Sequence, residues 1–125
     1  MTSLVVVFLG GGFGSICRYL LVKQYSYSGQ EYHSIPYGTA IANLLSCFIL
    51  GILIQKQFDG TLTENSRLLL ATGFCGGFST FSTFGYEIYM FIEKGQLLFG
   101  LGYTFLSLFF GIFAIFIGIK LILFI

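Results

Sequence analysis

Residues 95–119 read GQLLFGLGYTFLSLFFGIFAIFIGI and contain no charged side chain. Three further stretches are also free of Asp, Glu, Lys and Arg: residues 1–17, 32–55 and 68–86. A membrane-spanning helix needs about 20 mostly apolar residues and tolerates charges near its ends. The pattern therefore predicts four spanning helices, at roughly residues 3–25, 36–56, 67–92 and 96–123.

The composition agrees with a membrane protein. Of the 125 residues, 56% are hydrophobic and only 9% carry a charge, against about 25% charged residues in an average soluble domain. The mean hydropathy is +0.90. So few charges cannot cover the surface of a soluble fold, and the same numbers exclude a disordered chain and a disulfide scaffold. We therefore predict an all-α integral membrane protein with a single four-helix transmembrane domain over residues 1–125.

Several classes of function find no support in the chain. A net charge of +1 without a basic run excludes a nucleic-acid binder. The sequence has no nucleophile–base pair, phosphate-binding loop or paired carboxylates, so it does not predict an enzyme. The three cysteines lie at membrane depth, where we expect them to act as small apolar packing residues. His33 is a single histidine in a predicted connection and does not indicate a metal or catalytic site. Because every connection is short, any activity is expected inside the bilayer.

Lys and Arg residues are distributed almost equally between the two sides of the predicted bundle. Three lie on one side and two on the other, with Arg18 deeper in the first helix: Lys56, Arg67 and Lys120 against Lys23 and Lys94. An asymmetry of these residues normally sets the orientation of a membrane protein. Without such an asymmetry, two interpretations remain. Either folding or a partner resolves a weak bias, or the chain inserts both ways and pairs with an inverted copy as an antiparallel, dual-topology dimer.

Residues 73–87 read GFCGGFSTFSTFGYE and place two adjacent glycines in the middle of the third predicted helix. Glycine weakens a helix, and a break at membrane depth must be buried in protein. The pair therefore predicts a break near mid-membrane, which frees backbone carbonyls for a cation or N–H groups for an anion. The alternative is that Gly76 and Gly77 only allow close packing, as the Gly10–Gly14 spacing does in the first helix.

A repeat, Ser-Thr-Phe-Ser-Thr-Phe, occupies residues 79–84. Because a helix has about 3.6 residues per turn, a repeat of three places each residue type on its own stripe. Two neighbouring stripes carry hydroxyl groups, and the third carries Phe81 and Phe84. Either the hydroxyls bond to carbonyls one turn earlier, or they line a pathway. Glu87, at the end of one stripe, lies near the helix end, where water can solvate it, but an ionisable residue in a span is by default a functional candidate.

Thr39 and Asn43 lie one turn apart on one face of the second helix. With the hydroxyl stripes they predict a narrow pathway that has almost no fixed charge. Hydroxyl and amide hydrogens donate to anions, and the positive rim of a phenyl ring can face one. Larger anions usually pass a ring of basic residues, for which only Arg18 is available. The lining therefore favours a small anion.

These features resemble the CrcB/Fluc family of fluoride channels over essentially the whole chain. The resemblance rests on residues 73–84 with Glu87, on PYGTAIAN at residues 36–43, and on Arg18 with the glycines that precede it. It implies an antiparallel dimer with two pores that exports fluoride passively from the cytoplasm and so reduces its toxicity. It also implies a multi-pass protein of the bacterial inner (plasma) membrane, whose partners are fluoride, the lipid bilayer and a second, inverted copy.

The resemblance also implies roles for individual residues. The aromatic pair, Phe81 and Phe84, would turn ring edges to fluoride, and Asn43 would donate a hydrogen bond to it. Other polar residues would continue the fluoride path: Thr80, Ser82, Thr83, Ser107 and Glu87.

The cofactor that the resemblance implies is a structural sodium ion at the dimer centre. Backbone carbonyls of Gly76 and Ser79 from both chains would supply four hard oxygen ligands on the symmetry axis. The fourth helix departs from the family pattern, because apolar residues such as Gly111 and Ile112 follow Ser107 where relatives have further hydroxyls. Either the pore functions without them, or the chain pairs with a second, different chain.

Two other classes of membrane protein fit part of the pattern. A small multidrug antiporter also has four helices and dual topology, but it needs a carboxylate in its first helix, and residues 3–25 contain Arg18 and no acid. A non-conducting membrane subunit would explain the glycine-rich helices but not the Ser-Thr-Phe repeat.

Overall fold

The structure is a computed structural model that describes residues 2–26 and 35–125. All regular structure in these ranges is helical: α1 (Thr2–Ser26), α2 (Tyr37–Phe58), α3 (residues 64–78), α4 (Phe81–Glu93) and α5 (Leu97–Phe124). Four stretches are long and apolar enough to cross a membrane, with α3 and α4 together forming the third, which confirms the predicted spans. Most of the predicted connection at residues 26–35, including His33, lies outside the described residues.

The third span differs from a regular helix along its first half. It begins at Glu64, earlier than predicted, because the hydroxyl of Thr63 accepts a hydrogen bond from the backbone N–H of Ser66 and caps the helix. Its middle part, Leu68–Cys75, is a π-helix, and Gly76–Phe78 returns to α-helical geometry. Sequence periodicity did not predict the π-helix, which shifts the face that each later residue presents.

Close backbone contacts between glycines hold α1 against α3. A Cβ atom at Gly10 would meet the carbonyl oxygen of Leu69, and one at Gly77 would meet the carbonyl oxygen of Gly11. Gly14 packs in the same way against the backbone of Phe74. Glycines allow this approach because they have no side chain, so van der Waals contacts between backbones join helices that lipid would otherwise separate.

A second glycine contact joins α2 to α5. A Cβ atom at Gly51 would meet the backbone of Ile115, and one at Gly118 would meet the carbonyl oxygen of Phe48. Gly38 brings the start of α2 against Val22 in α1. Glycine contacts therefore link the four spans in the order α3–α1–α2–α5. Large apolar side chains remain exposed on the outer surface, and Leu98, for example, is 84% exposed.

The backbone is extended at two residues between α3 and α4. Ser79 has φ −78° and ψ 160°, and Thr80 has φ −150° and ψ 122°. The glycine pair at which the sequence predicted the break is helical, with φ −64° and ψ −36° at Gly76. Gly77 is instead used for packing against Gly11. The prediction was therefore wrong about the position, because both glycines remain helical, Gly77 packs against α1, and the extended residues follow them.

We expect Gly10→Ala to lower the melting temperature of the purified protein. The added methyl group would meet the Leu69 backbone, and such overpacking costs about 1–3 kcal/mol. Gly12→Ala is the matched control in the same helix, because a Cβ atom there meets nothing within 4 Å. Thermal unfolding in detergent measures both. Equal melting temperatures for the two variants would contradict the proposed role of the α1–α3 contact.

Candidate functional site

The two extended residues are held by the side chain of Asn43. The Thr80 N–H donates to Asn43 Oδ1 at 2.7 Å, and Asn43 Nδ2 donates to the Thr80 carbonyl at 3.2 Å. In an apolar environment, backbone polar groups that leave a helix must find partners inside the protein. Asn43 therefore replaces the backbone partner that the Thr80 N–H would have in a continuous helix and adds a donor to the Thr80 carbonyl. One N–H of its amide remains to donate elsewhere.

Asn43 is the middle member of a polar stripe on α2, formed by Thr39, Asn43 and Ser46. Thr39 Oγ1 donates to Glu87 Oε1 at 2.5 Å, and Ser46 Oγ donates to the Cys75 carbonyl at 3.0 Å. The stripe thus binds the third span at three levels. Sequence analysis identified Thr39 and Asn43 but missed Ser46, although its position three residues after Asn43 places it on the same face.

Glu87 is bound from two helices. Its second oxygen, Oε2, accepts a hydrogen bond from the Tyr103 hydroxyl of α5 at 2.8 Å, opposite the bond from Thr39. Thr39 is only 2% exposed, and Glu87 is half-buried. The carboxylate therefore holds α2, α4 and α5 together. Tyr103 was not singled out from the sequence, because its partner is distant along the chain.

The hydroxyl groups of residues 79–83 divide between two roles. Ser79 Oγ donates to the Cys75 carbonyl one turn earlier at 2.7 Å, which is the local bonding that the sequence left as an alternative. Thr80 caps α4, because its Oγ1 accepts from the Thr83 N–H at 3.2 Å. Ser82 is exposed, and its Oγ lies 3.4 Å from Thr80 Oγ1.

The two phenylalanines of the repeat have opposite environments. Phe84 is 7% exposed, and its ring centroid lies 5.1 Å from that of Tyr103. Phe81 is 85% exposed, with its ring centroid 6.3 Å from that of Phe84. One ring is thus packed inside the chain, and the other projects from it.

The carbonyls near Gly76 differ in their partners. In a continuous α-helix the Gly76 carbonyl would accept from the Thr80 N–H, but that N–H donates to Asn43. The Gly77 carbonyl accepts from Arg18 Nε at 3.0 Å. The described residues contain no group of three or more His, Cys, Asp or Glu side chains that could hold a metal. The backbone carbonyl oxygens of this turn are of the kind that suits a hard cation.

A cavity of about 680 Å³ lies between α2 and α5. Its wall is mostly apolar, and Asn43, Tyr103 and Ser107 are polar members of it. The structure therefore brings Ser107 to the same cavity as Asn43, whereas Arg18 contacts α3 at Gly77.

Comparison with known proteins gives matches over nearly the full chain. A family model described as "CrcB-like protein, Camphor Resistance (CrcB)" matches residues 5–119. Three similar proteins, each named fluoride-specific ion channel FluC, come from Gloeothece citriformis, Leptospira interrogans and Pyrococcus furiosus.

The three relatives cover almost the whole of this chain. The Gloeothece protein is 42% identical over 122 residues, which are 98% of each chain. The Leptospira protein is 43% identical over 122 residues, 96% of this chain and 94% of its own. The Pyrococcus protein is 41% identical over 124 residues, 97% of this chain and 96% of its own. Since both kinds of match extend over nearly all of the sequence, the chain belongs to the CrcB family.

Proposed function

We propose that this chain is a fluoride-specific channel that exports fluoride passively from the cytoplasm across the bacterial inner membrane. The observation that carries the proposal is the near-complete match to relatives named fluoride-specific ion channels. The four apolar helices and the polar, nearly uncharged site among them are consistent with this function. Family membership also disfavours the multidrug antiporter.

Hydrogen-bond donors and ring edges form the proposed fluoride path. The remaining N–H of Asn43 and the hydroxyls of Ser82 and Thr83 can donate to an anion. The rims of Phe81 and Phe84 carry partial positive charge and can face the ion without attracting it strongly. Thr80, Ser107 and Glu87 complete the path in this proposal, with Glu87 acting as the acceptor that orients Thr39 and Tyr103.

We also propose that two inverted copies form an antiparallel dimer with two pores. The near-equal distribution of Lys and Arg supports dual topology. The 85% exposure of Phe81 also supports it, because a ring that belongs to the fluoride path needs a cover that one chain does not supply. In this arrangement the extended residues Ser79 and Thr80 lie near mid-membrane.

A structural sodium ion at the dimer centre completes the proposal. The Gly76 carbonyl is released from helical bonding by the bond of Thr80 to Asn43, and Gly76 itself is exposed in one chain. Together with the Ser79 carbonyl, two copies supply four hard oxygen ligands. The ion would neutralise the carbonyl dipoles where the two chains meet.

Replacing Phe81 or Phe84 with Ile should lower passive fluoride efflux from liposomes by about tenfold, which corresponds to a loss of about 1.4 kcal/mol at the barrier. Isoleucine keeps apolar bulk but removes the positive ring edge. Phe8→Ile, at a ring 77% exposed on α1, is the control and should conduct like wild type. Parallel chloride measurements test selectivity. Wild-type efflux of chloride equal to that of fluoride would contradict the assigned ion.

Asn43→Asp should reduce fluoride efflux more than Asn43→Ser. The carboxylate keeps an acceptor for the Thr80 N–H, but it loses the donor to the Thr80 carbonyl and repels the anion. Asn43→Ala should lower the melting temperature, since leaving a buried polar group unsatisfied costs about 1–3 kcal/mol. Efflux and thermal unfolding are measured on the same preparations. An aspartate variant that conducts as well as the serine variant would remove Asn43 from the path.

Adding positive charge at the end of α2 and in the connection that follows should fix one orientation. Gln57 and Thr61 are exposed, so Gln57→Lys with Thr61→Lys changes the charge and, apart from the exposed bond of the Thr61 hydroxyl to the Lys56 carbonyl, leaves the contacts of the chain in place. Labelling of Thr2→Cys with a membrane-impermeant thiol reagent should then occur from one side only, and efflux should vanish unless an oppositely biased copy is co-expressed. The control, Gln57→Glu with Thr61→Glu, should retain labelling from both sides, because acidic residues contribute little to topology.

One-sided labelling of the otherwise unmodified Thr2→Cys chain would overturn dual topology. If liposomes that hold only this chain also fail to conduct fluoride, pairing with a second, different chain would replace the homodimer.

A further inference from the structure

The helical turn at residues 75–77, which we name the carbonyl turn, is bound from two sides. The Cys75 carbonyl accepts from Ser46 Oγ of α2 at 3.0 Å, and the Gly77 carbonyl accepts from Arg18 Nε of α1 at 3.0 Å. Ser15 Oγ makes a longer contact of 3.5 Å with the same Gly77 oxygen. Neighbouring helices thus bind the first and third carbonyls of the turn, and the first also accepts from the hydroxyl of Ser79 at 2.7 Å.

The second carbonyl, that of Gly76, lies between these two. Because planar peptide groups connect these residues within one helical turn, holding the carbonyls at 75 and 77 also restricts the carbonyl between them. A Cβ atom at Gly76 meets nothing within 4 Å, whereas one at Gly77 meets the Gly11 backbone. The middle residue of the turn therefore lies on a face that α1 and α2 leave open.

The use of an arginine for this contact is unusual inside a span. A charged side chain at membrane depth is costly, and it is retained where it serves a function. The sequence offered Arg18 as a basic residue that could attract anions, but its Nε is used on a backbone carbonyl of α3. Ser46 is 4% exposed and likewise donates to α3.

We propose that Arg18 and Ser46 are positioning residues that orient the Gly76 carbonyl towards the sodium ion at the dimer centre. This inference rests on the proposed sodium site and adds to it the residues that hold its ligand. Partners that orient a metal ligand typically change metal affinity by about 10–100-fold when they are mutated.

The test is thermal unfolding of the purified full chain over a series of sodium concentrations, with N-methylglucamine holding the ionic strength constant. The melting temperature of the wild type should rise with sodium concentration, and the concentration that gives half of this rise is the sodium midpoint. Ser46→Ala should raise that midpoint by about tenfold or more, and Ser46→Thr, which keeps the hydroxyl, should return it close to wild type. Thr104→Ala is the matched control, because it removes a hydroxyl-to-carbonyl bond, to Gly100, within α5.

Arg18→Lys separates positioning from anion attraction. Lysine keeps the charge but places a compact ammonium on a flexible stem instead of the planar guanidinium, so the sodium midpoint should rise. If Arg18 only attracts anions, the Arg18→Lys variant will keep the wild-type sodium midpoint. That result would overturn the assignment of Arg18 as a positioning residue.

Two further outcomes would overturn the proposal. If Ser46→Ala lowers the melting temperature equally at every sodium concentration, Ser46 stabilises the fold without acting on the ion. If wild type shows no stabilisation by sodium, the positioning role fails together with the sodium site. Fluoride efflux from liposomes of the same wild-type preparation distinguishes that failure from failure of the proposed channel function.

Discussion

The pair of hydrogen bonds between Asn43 and Thr80 is the interaction on which the site depends. Backbone polar groups in an apolar environment must be bonded, and two extended residues in a span break the helical pattern that would otherwise bond them. The amide of Asn43 supplies both an acceptor and a donor to Thr80. That single side chain makes an extended segment tolerable, and through it the Gly76 carbonyl is released from its helical partner.

The glycine contacts make this interaction possible. Because α1 and α3 meet at their backbones, and α2 and α5 do the same, the polar stripe on α2 comes within hydrogen-bond distance of the third span. Thr39, Asn43 and Ser46 then bind that span at three heights. Close helix packing and buried polar bonding are thus coupled, since a larger side chain at the contacts would separate the groups that bond.

Some groups of the site have all their contacts within the chain, whereas others are left exposed by it. Glu87 accepts from two hydroxyls, and Thr80 is bonded by both its backbone and its side chain. Phe81, in contrast, projects almost fully from the chain, and Gly76 lies on an open face. Phe81 and Gly76 are the features that the proposed dimer and its sodium ion would cover, whereas the groups bonded within the chain would give the proposed fluoride path a fixed shape.

The sequence by itself determined the four spans and most of the polar residues of the site. Charge-free apolar stretches leave no alternative to membrane helices, and an amide or a hydroxyl repeat in such helices must serve a polar contact. Tertiary structure alone decided where the third span becomes extended and which groups bond. The interruption lies at Ser79 and Thr80 because Gly77 packs on Gly11 and Asn43 reaches Thr80. The partners of Ser46 and Tyr103 are distant along the chain, so only the packing of the helices could reveal them.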